Sequence, residues 1–82
     1  MANAEELKEL LETGLPGAEV KVDGQGDHFE AIIISDLFTG KTMVQQHRMI
    51  YDLLGDRMQG EIHAMALHTY TPESWSAQPR IQ

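Results

Sequence analysis

The chain has 82 residues, no cysteine, and 13 acidic against six basic side chains, for a net charge of −7. This length makes one domain, residues 1–82, with a thin core. The lack of cysteine excludes disulfides and any thiolate metal site built by this chain alone. The charge disfavours nucleic acid as the main partner, because phosphate binding needs a positive footprint. The basic residues Lys8, Lys21, Lys41, Arg48, Arg57 and Arg80 are scattered, although Lys41, His47, Arg48 and Arg57 are close enough in sequence to form a local patch. The start carries neither a basic n-region nor an apolar h-region, so no secretory signal is expected. The longest apolar run, Ala31–Ile34, is four residues, too short for a membrane span, and the expected location is the cytoplasm.

Asn3, with Glu6 three residues later, is a capping-box-like start. Leu7, Leu10, Leu11 and Leu15 follow at helical spacing, and Gly14 with Pro16-Gly17 ends the pattern, which predicts an amphipathic helix over residues 3–14. Ala18 to Asp23 alternates apolar and polar residues, with Val20 and Val22 on one face, as a half-buried strand does. Gly24-Gln-Gly-Asp27 is the expected turn, in a hairpin with a slightly long loop. His28 to Ser35 returns as a second strand, and its continuous apolar stretch predicts a central position.

Asp36 to Lys41 is a turn region in which Leu37 and Phe38 form at most one helical turn. A second helix opens at Thr42 or just after. Met43, Val44, His47, Ile50, Tyr51 and Leu54 share one expected apolar face; the helix breaks near Gly55 and ends by Gly60. Glu61 to Thr69 reads as a third strand. A helix joins it to the second, so the two should run parallel through a right-handed crossover. Thr71-Pro72-Glu73 combines an N-cap, an N1 proline and an acidic first turn, so a short helix should carry Trp75. Trp75, Tyr51 and Tyr70 are expected to pack the core, and residues 77–82 to form a loose tail. The fold class is therefore α+β, in the order α-β-β-α-β-α, with a three-stranded mixed sheet packed by helices.

Enzyme signatures are absent. The sequence has no Gly-x-Ser-x-Gly elbow, no Walker loop and no dinucleotide fingerprint. Gly24 and Gly26 precede a strand instead of a helix, so they do not form a phosphate cradle. The four histidines are more informative. His28 opens the second strand, and His63 lies early in the third. Parallel pairing of those strands would bring both near the same end of the sheet. Two adjacent imidazoles are a candidate metal half-site; the alternative is that they are solvated residues at strand ends. His47 sits on the apolar side of the second helix, where a satisfied, partly buried histidine is the common case. Arg48 beside it is expected to be exposed.

Five segments in this order resemble the BolA family: Gly26-Asp-His-Phe-Glu-Ala-Ile-Ile-Ile-Ser, Phe38-Thr-Gly-Lys, Val44-Gln-Gln-His-Arg-Met-Ile-Tyr, Ile62-His-Ala-Met-Ala-Leu and Thr71-Pro-Glu-Ser-Trp. The similarity runs from about residue 5 to residue 76. It implies a class II KH-like topology. It also implies a non-enzymatic adaptor that pairs as a heterodimer with a monothiol glutaredoxin, for iron–sulfur cluster trafficking or iron sensing and in stress responses. His63 would be the strand-three ligand of a shared [2Fe–2S] cluster, and His28 the variable ligand from the first hairpin. The partner's cysteine and a bound glutathione would supply the thiolates. The isolated chain is then expected to be a monomer without cofactor. The family's second theme, DNA-binding transcriptional regulation, would use the helix with Lys41, His47 and Arg48. The Gly-x-x-Gly loop by which KH domains clamp a nucleotide backbone is missing, so DNA binding is the alternative expectation.

Overall fold

The computed structural model describes residues 3–25, 28–55 and 64–77. Helix α1 (Ala4–Gly14) is capped by Asn3, whose Oδ1 accepts the Glu6 backbone N–H at 2.8 Å. The reciprocal half of a capping box is replaced by a contact from Asn3 Nδ2 to Glu6 Oε1 at 3.4 Å. Gly14 ends the helix against the Leu53 side chain: a Cβ there would stand 2.5 Å from Leu53 Cδ2. Leu15 then caps the helix and is buried.

Strands β1 (Glu19–Gln25) and β2 (His28–Ile34) form an antiparallel hairpin. Gln25 pairs with His28, so only Gly26 and Asp27 lie between the strands, and the connection is tighter than the expected loop. Gly24 makes this possible. It sits inside the ladder at φ +155, and a Cβ there would come within 2.4 Å of the His28 carbonyl oxygen. Its lack of a side chain admits the close backbone approach.

A 3-10 turn (Asp36–Phe38) buries Phe38 and leads to helix α2 (Met43–Leu54). Here the capping box is complete: the Gln45 N–H donates to Thr42 Oγ1 at 3.2 Å, and the Thr42 N–H donates to Gln45 Oε1 at 2.9 Å. Strand β3 (Ala64–Tyr70) lies parallel to β2, and the sheet order is β1-β2-β3. Helix α3 (Pro72–Ala77) follows, with the Ser74 N–H donating to Thr71 Oγ1 at 3.0 Å. The order α-β-β-α-β-α, the mixed sheet and the central position of β2 are as expected from the sequence. The expected third-strand residues Glu61 to His63, the helix end by Gly60 and the tail beyond Ala77 lie outside the described residues.

Leu7, Leu11, Leu15, Val20, Phe29, Ala31, Ile33, Phe38, Ile50 and Leu54 make one core cluster on the helical side of the sheet. Burial of these side chains, worth roughly 1.5–3 kcal/mol for each Leu, Ile, Val and Phe, is the main stabilising term. Helix α2 departs from expectation. Its buried residues are Gln46, Ile50 and Leu54, while Met43, Val44 and Tyr51 are exposed. The buried face is rotated from the one read from the sequence, and a glutamine takes a place on it. Gln46 can be buried because both ends of its amide are satisfied: Thr69 Oγ1 donates to Oε1 at 2.6 Å, and Nε2 donates to the Lys41 carbonyl at 3.0 Å. Trp75 and Tyr70 are half-buried and meet edge to face, with ring centroids 5.0 Å apart.

Candidate functional site

Along β2 the side chains alternate. Phe29, Ala31 and Ile33 point into the core, whereas His28 and Glu30 are exposed on the opposite face. Residues paired across a ladder share a face, so Asp23 joins Glu30 from β1, and Ala66 and His68 line the same open face from β3. His28 is the first residue of the central strand. It is held between Gln25 on one side and Ala64 on the other, which fixes its backbone in two ladders at once.

His63 lies outside the described residues. Its successor in sequence, Ala64, is the residue beside His28, so β2 and β3 begin at the same end of the sheet. An open depression at this end is lined by Asp23, Gly24, His28, Phe29 and Glu30. The described residues contain no group of three His, Asp or Glu side chains that could hold a metal ion. A metal at His28 would therefore require ligands from beyond them or from a partner. The imidazole is a suitable donor: it is exposed and anchored to a paired strand.

Glu30 and His68 are neighbours that sequence reasoning left unremarked. His68 Nε2 stands 3.2 Å from Glu30 Oε2, linking β3 to β2 across the open face. The signal was the two-residue period from His28 to Glu30 combined with the parallel register, and the register is not visible without pairing the strands.

Lys41, His47 and Arg48 belong to a different region. Lys41 and Arg48 are exposed and make no ion pair among the described residues. His47 is half-buried; contrary to the expected satisfied histidine, its Nε2 is buried without a hydrogen-bond partner. Val44, His47, Arg48 and Tyr51 line a shallow groove along the outer side of α2. The helix begins beside Thr69, which is level with Ile33, five residues along β2 from His28. At about 3.3 Å per residue, the start of α2 is therefore roughly 17 Å from the His28 end of the sheet.

The family model described as "BolA-like protein" matches residues 10–74. The "DNA-binding transcriptional regulator BolA" of Escherichia coli (strain K12) is 44% identical over 52 residues, which cover 63% of this chain and 50% of that protein. The "Acid stress protein IbaG" of the same organism is 31% identical over 77 residues, 93% of this chain and 92% of that protein. The chain thus spans about half the length of the transcriptional regulator and nearly all of the acid stress protein. Among solved structures, a bolA protein homologue from Coxiella burnetii superposes with a TM-score of 0.81 at 40% identity, covering 93% of this chain and 99% of the homologue.

Proposed function

Because the chain belongs to the BolA-like protein family, we propose that it is a non-enzymatic adaptor that pairs with a monothiol glutaredoxin and presents His28 and His63 to a [2Fe–2S] cluster carried between the two proteins. The observation that supports this reading is the parallel register of β2 and β3, which sets the exposed His28 beside the residue that follows His63. The cluster is cargo, and the reading sets the exchange in the cytoplasm. Glutaredoxin cysteine and glutathione would supply thiolates to one iron; two neutral imidazoles on the other lower the negative charge of the cluster and so raise its reduction potential. This chain's own contribution is positional. His28 rides on a central strand fixed by two ladders, so its imidazole is presented at small entropic cost. Among the described residues no helix is long and apolar enough to cross a membrane.

The test is reconstitution with a monothiol glutaredoxin, glutathione, iron and sulfide, followed by visible absorption and circular dichroism. The isolated chain should be colourless and the heterodimer coloured. His63→Ala should lose most of the cluster's stability, and His28→Ala should lose less. His28→Cys should retain a cluster with an altered spectrum, because thiolate donates more charge than imidazole. His47→Ala and His68→Ala serve as controls. An unchanged spectrum and cluster lifetime in His63→Ala would show the ligand assignment to be wrong.

A second reading, DNA-binding regulation, is favoured by the name of the Escherichia coli relative. Against it stands the charge of −7, which predicts weak affinity for duplex DNA at physiological salt. Sequence-specific, sub-micromolar binding in an anisotropy titration would reverse the order of the two readings.

A further inference from the structure

The outer side of α2 exposes more apolar surface than a helix packed on a core needs to. Met43 is 57% exposed, Val44 67% and Tyr51 41%. Val44, His47, Arg48 and Tyr51 fall at helical spacings of three and four and line one continuous groove, so this is a single surface. The burial pattern explains why it is free: the core takes Gln46, Ile50 and Leu54, which leaves the apolar residues on the adjacent side facing water.

Exposed carboxylates bound this surface at Asp36 and Asp52 but are absent between them. The chain carries 13 carboxylates, yet the 15 residues from Leu37 to Tyr51 contain none. Within the same stretch Lys41 and Arg48 are exposed cations without an ion-pair partner among the described residues. An apolar centre of Met, Val and Tyr with a cationic rim has the composition of a protein interface. Two cations are too few for the phosphate footprint that generic DNA binding needs, and DNA would not cover the apolar centre. A second copy of this chain would bring another charge of −7 and another cationic rim to the same surface.

We propose that the outer face of α2 is a docking surface for an acidic amphipathic helix of a partner protein, whose apolar stripe covers Met43, Val44 and Tyr51 and whose carboxylates meet Arg48 and Lys41. The inference does not depend on the cluster reading, since the surface is on α2, which packs on the core face of the sheet, whereas His28 is on the opposite face. His47 adds to it. Its buried Nε2 lacks a partner, and an occupant that lets the ring turn and find a donor or acceptor removes that cost.

The experiment titrates the ¹⁵N-labelled full chain with a synthetic acidic amphipathic peptide of about 16 residues, long enough to form a helix that matches α2. Three further probes are a scrambled peptide of the same composition, the same peptide with lysine in place of each acidic residue, and a short DNA duplex. The acidic amphipathic peptide should bind saturably, with amide shifts concentrated between Lys41 and Tyr51. Val44→Glu and Arg48→Glu should each weaken binding about tenfold or more without changing the melting temperature, because both side chains are exposed. Arg48→Glu should recover affinity for the lysine peptide. The proposal is overturned by no saturable binding, by equal binding of the scrambled peptide, or by shifts elsewhere on the protein. It is equally overturned by tighter binding of the duplex at α2, or by concentration-dependent self-association through α2 that the peptide does not displace.

Discussion

Thr69→Val tests the buried polar link between β3 and α2. The substitution keeps the shape of the side chain and removes one hydroxyl. In the native protein Thr69 Oγ1 stands 2.6 Å from Gln46 Oε1 and 3.4 Å from Met43 Sδ, so the shorter contact takes its proton. Both partners are buried, Thr69 to 4% and Gln46 to 9% exposure. Valine leaves Gln46 Oε1 without a donor in a site water does not reach, and an orphaned buried acceptor costs about 1–3 kcal/mol. For a domain of this size that corresponds to a fall in melting temperature of about 4–24 °C. Gln46→Leu should also destabilise, since it strands the Thr69 hydroxyl on the weak sulfur acceptor. The double variant Gln46→Leu/Thr69→Val removes both partners together, and the Lys41 carbonyl belongs to an exposed residue that water can serve. Its cost should therefore fall short of the sum of the single variants by about 0.5–3 kcal/mol. Urea unfolding of the four proteins, with unchanged m-values, measures the cycle. Additivity within about 0.3 kcal/mol would refute the reasoning, because the hydrogen bond could not then be what allows a glutamine on the helix's inner face.

Gly24→Ala should destabilise by about 1–3 kcal/mol, because the new Cβ meets backbone at 2.4 Å (His28 O) and 2.8 Å (Phe29 Cα). It should also shift the imidazole resonances of His28. Gly40→Ala is the comparison: its φ is +77 but nothing lies within 4 Å of the added carbon, so only backbone strain of about 1 kcal/mol applies. Equal losses at the two positions, measured as urea midpoints, would contradict the close-approach argument. Thr42→Ala removes the donor-accepting half of the α2 capping box and should cost about 1 kcal/mol by the same assay, with no change in the far-UV spectrum of the folded state.

The element order was legible in the sequence because each element announced itself locally. Asn3, Thr42 and Thr71 are the caps the structure uses, the apolar alternation from Ala18 to Asp23 is a strand, and the run around Ile32 to Ile34 marks the central strand. The parallel pairing of β2 and β3 followed from the helix between them, and with it the expectation that the candidate ligand at His28 lies beside the start of the third strand. Three features were decided only by tertiary structure. The hairpin closes more tightly than its glycines suggest, because Gly24 serves inside the ladder and not in the loop. The partnership of Glu30 with His68 spans 38 residues and exists only through the register of two strands. The face that α2 buries was misread for a related reason. Periodicity treats a glutamine as polar and turns it outward, but burial depends on whether its hydrogen bonds are met, and Thr69 and the Lys41 carbonyl that meet them arrive from elsewhere in the fold. The same rotation exposes Met43, Val44 and Tyr51, so the surface on α2 is a consequence of packing that no local reading of residues 43–54 contains.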